Sequence, residues 1–69
     1  MYMVDYKNNE QQKETTSTNL TTVDKVLKFI LERSLKQEGF TVLRINKYEN
    51  GELVPHTITY ENRFNLIKL

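Results

Sequence analysis

The chain has 69 residues, a formal net charge of +1, no cysteine and a single histidine. That length holds one domain, and chains below roughly 70–80 residues seldom bury enough apolar surface to be stable without a disulfide, a metal or a partner. Lack of cysteine excludes disulfides and thiolate metal sites, His56 alone makes no multi-histidine zinc site, and near-neutrality lacks the basic excess of a dedicated nucleic-acid binder.

In residues 1–7, Tyr2, Val4 and Tyr6 alternate with Met1, Met3 and Asp5. That period fits a short strand, and a disordered start is the other reading. The N-terminus has no basic start followed by a long apolar stretch, and no later apolar run approaches membrane-spanning length, so the expectation is a cytoplasmic protein without membrane contact. Residues 8–20 are almost wholly polar, with Leu20 as the exception. Such a segment cannot offset its ordering entropy by burial and is expected to be a flexible arm. The folded domain is then expected over residues 21–69.

Val23, Val26, Leu27, Ile30, Leu31 and Leu35 fall on one face of a helix. Thr21 is the expected N-cap, with Asp24 three residues on, and Gly39 the left-handed stop. Phe29 lies beside the stripe. Asp24–Lys28 and Glu32–Lys36 add acid-first pairs at four-residue spacing.

Three strand-like segments follow, Phe40 to Tyr48, Leu53 to Tyr60 and Arg63 to Leu69. Asn50-Gly51 between the first two is a strong signal for a two-residue hairpin loop, and Glu61-Asn62 reads as a second turn. The expected fold is therefore α+β, with one amphipathic helix on a three-stranded antiparallel meander and a short N-terminal strand where residues 1–7 pair. The first turn places Glu49 opposite Glu52, Lys47 opposite Val54, Ile45 opposite His56 and Leu43 opposite Ile58. A two-residue second loop places Ile67 and Leu69 on the same, helix-facing side. Pro55 conflicts with a central strand, because proline donates no ladder hydrogen bond, and a bulge or late pairing is expected there.

No site chemistry stands out. His56 has no nucleophile or carboxylate partner in its local sequence, so it reads as structural. Gly39 and Gly51 are the only glycines, which excludes a glycine-rich phosphate loop. No catalytic, cofactor-binding or metal-ligating residue is expected, and the chain reads as a non-enzyme. The turn-based register leaves Phe40, Val42, Tyr48, Leu53, Phe64 and Leu66 on the sheet face away from the helix. One helix cannot cover two faces, so these six are the candidate interface. The expected function is protein binding through an exposed sheet face or edge, with a protein partner or a second copy of the chain. The alternative is nucleic-acid binding by Tyr48, Tyr60 or Phe64 with scattered Lys and Arg. The Asn-, Lys-, Thr- and Glu-rich composition fits an AT-rich coding source of the kind found in phage and mobile elements.

Overall fold

The computed structural model describes residues 1–69. Its elements run β1 (Tyr2–Lys7), β2 (Thr16–Leu20), α1 (Val23–Lys36), β3 (Thr41–Glu49), β4 (Glu52–Tyr60) and β5 (Phe64–Lys68). The strands form one antiparallel sheet in the order β2-β1-β3-β4-β5, and α1 packs across one face. The α+β class matches the sequence expectation, but the sheet has five strands rather than a three-stranded meander.

The two additional strands come from the N-terminal third. Tyr2, Val4 and Tyr6 do alternate as a strand, and β1 is internal, paired with β2 on one side and β3 on the other. The end of the segment expected to be a flexible arm is a paired strand. Thr16–Leu20 forms β2, with Thr16, Thr18 and Leu20 opposite Tyr6, Val4 and Tyr2. Threonine is polar but β-branched, so it suits a half-buried edge strand. The connection from Asn8 to Thr15 is tied by Gln12. Its side-chain carbonyl accepts from the Asn8 amide (2.8 Å), while its amide nitrogen reaches Thr16 Oγ1 (3.0 Å) and the Glu14 carbonyl.

The helix starts one residue later than expected. Thr22, not Thr21, is the N-cap, and its hydroxyl accepts from the Lys25 amide at 3.2 Å. Val26 and Ile30 are buried, and Val23, Leu27 and Leu31 are half-buried. Leu35 is 87% exposed, so the apolar stripe outlasts the sheet beneath it. Phe29 turns inward instead and meets Tyr6 and Phe40, at ring-centroid distances of 5.3 and 6.1 Å.

The first hairpin follows the expected register through Ile45–His56, Lys47–Val54 and Glu49–Glu52. Asn50 (φ 49°) and Gly51 (φ 79°) both take the left-handed conformation that a two-residue loop of this kind requires. Pro55 sits in regular pairing opposite Asn46, without a bulge. Its carbonyl points to β5 and accepts from the Leu69 amide (3.0 Å). The donor it lacks would have faced Leu69, so the Pro55–Leu69 pair keeps one ladder hydrogen bond in place of two.

Two irregularities overturn the expected distribution of side chains. A bulge in β3 leaves Leu43 unpaired, since Asp5 lies opposite Arg44 while Tyr6 lies opposite Val42. The predicted Leu43–Ile58 pair is lost, and Val42 and Phe40 are carried to the helix side. The second turn holds three residues, Glu61 to Arg63, because Tyr60 pairs with Phe64. That one-residue shift inverts every side chain of β5. Phe64 and Leu66 face the helix, while Ile67 and Leu69 face away.

The core comprises Tyr2, Val4, Tyr6, Val26, Ile30 and Ile45. β1 supplies three of these six. No helix is long and apolar enough to cross a membrane.

Candidate functional site

The domain measures 34 × 31 × 19 Å. The short dimension accommodates one helix layer and one sheet layer, so the second face of the sheet has no cover. Accessible surface is 5172 Å², against roughly 4,500 Å² expected for a folded chain of this mass. The radius of gyration, 12.0 Å, likewise exceeds the ~11 Å of a compact domain of this length.

Strand pairing specifies what the open face carries. At the end nearest the Asn50–Gly51 turn, Met1, Tyr48 and Leu53 form one cross-strand row, and the Met1 carbonyl accepts from the Tyr48 amide at 2.8 Å. The next row runs Asn19, Met3, Asn46, Pro55. Met1, Met3, Tyr48, Leu53 and Asn19 line a shallow, mainly apolar depression of about 610 Å³. Tyr48 is 59% and Leu53 48% exposed, although both lie on regular strands. Leu69, beside Pro55, and Ile67 extend the apolar surface toward β5.

Farther along, the face becomes polar. Asp5 projects between Ser17 and Arg44, its partners on the neighbouring strands. The Ser17 hydroxyl donates to Asp5 Oδ1 (2.5 Å), and Arg44 Nε donates to Oδ2 (2.7 Å). These side chains leave the carboxylate only slightly accessible, while Arg44 itself stays largely in water. Asp5 is held below its ordinary pKa, first by the Ser17 hydroxyl and then by Arg44, against the opposing effect of burial. Because the folded value lies below the unfolded one, the stabilisation is complete above about pH 3.9 and is lost as pH falls through the lowered folded value. Urea midpoints measured from pH 7 to pH 2 should therefore show an acid-side loss that is smaller in Asp5→Asn. That variant should also be the less stable protein at pH 7. Equal stability at pH 7 together with an unchanged acid loss would show that the cluster contributes nothing.

The candidate interface residues divide between the two sides of the sheet. Tyr48 and Leu53 are on the open face, as expected. Phe40, Val42 and Leu66 are half-buried against the core, and Phe64 lies beside Val23 and Leu27 of the helix. The open face instead includes Ile67 and Leu69, expected on the helix side, together with Met1 and Met3, which sequence reasoning assigned to neither face. The alternation of Met1 and Met3 with Tyr2 and Val4 was the available signal for the two methionines. The aromatic groups suggested for nucleic-acid stacking do not share a platform either. Tyr48 is on the open face, whereas Tyr60 and Phe64 meet edge to face on the helix side, with centroids 4.9 Å apart.

His56 lies opposite Ile45 on the helix side, with Nδ1 donating to the Val54 carbonyl at 2.8 Å and its ring edge-on to Tyr2. Both interactions belong to packing. No three His, Cys, Asp or Glu side chains are gathered as a metal site would require. On the rim of the helix side, Lys47 and Glu49 form an ion pair (2.9 Å) that raises the lysine pKa and lowers that of the glutamate.

No protein-family model matches the chain, and neither a search of characterised proteins nor one of solved structures finds a similar protein.

Proposed function

We propose that this protein is a small non-catalytic protein-binding module whose working surface is the open face of its sheet. The observation that carries this reading is the uncovered apolar end of that face, where Met1, Met3, Tyr48 and Leu53 surround one depression on regular, well-paired strands. An apolar patch on rigid elements, rimmed by polar groups such as Asn19 and the Asp5–Arg44 pair, is how docking surfaces are built. Fewer observations support a nucleic-acid surface. One aromatic ring occupies the face, Arg44 is engaged by Asp5, and Lys47 and Lys68 project from the helix side.

A photoreactive amino acid placed at position 53, and separately at position 35 on the exposed side of the helix, tests the reading in cells. The expected result is a protein adduct from position 53, lost when Met3→Asp is added, and none from position 35. Adducts from position 35 alone, or from neither position, would overturn it.

A further inference from the structure

We infer that the occupant of the open face is a second copy of this chain, seated face to face about a two-fold axis through the apolar end. The inference rests on the docking surface proposed above and names its partner.

The first argument concerns permanence. The folded chain buries only six apolar side chains in its core. It has no disulfide. Meanwhile Met1, Tyr48, Leu53, Ile67 and Leu69 all stand in water on one face. A domain this small has little stability to spare. It therefore gains most from a cover that is present whenever the chain itself is present. A transient partner leaves the face bare for part of the time, whereas another copy is made in equal amount by definition.

The second argument concerns size and shape. A standard interface takes about 800 Å² from each partner. The molecule exceeds the surface of a compact chain of its mass by roughly 600 Å², and the open face lies within 34 × 31 Å. The excess exposure and the available area are thus of the order that one sheet-on-sheet contact removes. Two sheets packed this way form an ordinary aligned or orthogonal sandwich, with the helices outside.

Charge and chemistry are also compatible with self-pairing. Asp5 and Arg44, near the middle of the face, neutralise each other, and a net charge of +1 gives two copies little reason to repel. Both methionines of the chain lie on the patch. Their flexible thioether side chains can adapt to a copy of themselves. Asn19 and Asn46 each carry a donor and an acceptor, so in a two-fold contact each can be satisfied by the same residues of the other copy.

Sedimentation equilibrium of the full chain over about a 100-fold concentration range tests this directly. The expected species has twice the 8.2 kDa mass of one chain, and the thermal midpoint should rise with concentration. Leu53→Asp should weaken association by about 100-fold or more, because a carboxylate would be buried without a partner. Should that variant fail to fold, Tyr48→Ser must still weaken association by at least about 10-fold. Leu35→Asp, on the other layer, should leave the mass unchanged. A wild-type chain that sediments as one copy, with a concentration-independent midpoint, overturns self-pairing. Association unaffected by both Leu53→Asp and Tyr48→Ser overturns it as well. In either case crosslinking from position 53 to a different protein would leave the docking reading standing, and its absence would remove both.

Discussion

A chain lacking residues 1–7 will not fold. β1 lies between β2 and β3, so its loss leaves β2 without any partner and exposes the inner edge of β3. It also removes Tyr2, Val4 and Tyr6, half of the buried core. At about 1.5–3 kcal/mol for each large apolar side chain, the lost burial is roughly 5–9 kcal/mol. That equals or exceeds the stability of a marginal small domain, about 5 kcal/mol. Far-UV circular dichroism and amide proton dispersion should show an unfolded chain with no cooperative thermal transition. A retained transition would mean that the helix and the β3–β5 meander are self-sufficient, and that β1 and β2 only decorate them.

Within that meander, the β3–β4 hairpin was legible in the sequence. Asn50-Gly51 dictates a turn with two positive φ values, and the pairing of β3 with β4 follows by counting outward from it. The helix was legible for a similar reason, since Val26 and Ile30 repeat with its period. The N-terminal third was harder because its signals are local while its stability is not. Thr16–Leu20 has too few apolar groups to announce a strand. Its pairing becomes favourable only once Tyr2, Val4 and Tyr6 are fixed against α1, an interaction between distant parts of the chain.

The site was less legible than the fold because sheet faces depend on parity. One unpaired residue, Leu43, moves Phe40 and Val42 from one face to the other. One additional loop residue, Arg63, does the same to all of β5. Neither event has a strong local signature. Leu43 sits within a continuous strand-forming run, and Glu61-Asn62-Arg63 contains no glycine, although Asn62 takes a positive φ of 63°. Tyr48 and Leu53 kept their expected positions because they adjoin the one turn whose geometry the sequence specifies. An apolar face away from the helix could thus be anticipated, while most of its members could not.

The consequence for Phe40 gives the second large effect. Phe40→Ala should cost about 2 kcal/mol or more, somewhat below the roughly 3–5 kcal/mol for deleting a fully buried phenylalanine because the ring is half-buried. The ring packs 5.5 Å from Tyr6 and 6.1 Å from Phe29, centroid to centroid, and closes the end of the core where α1 returns to β3. Neither neighbour can collapse into the space freely, since Tyr6 is held on an internal strand and Phe29 on the helix. For a domain of this length, each 1 kcal/mol shifts the thermal midpoint by about 4–8 °C. The midpoint should therefore fall by about 8 °C or more. Leu35→Ala is the matched control. Its side chain is 87% exposed, so the change should stay within about 0.5 kcal/mol. A register in which Phe40 faces solvent and Leu35 faces the sheet predicts the opposite order. Thermal melts of the two variants at one protein concentration distinguish these arrangements: if Leu35→Ala proves the more damaging, the bulge at Leu43 and the core built around it are wrong.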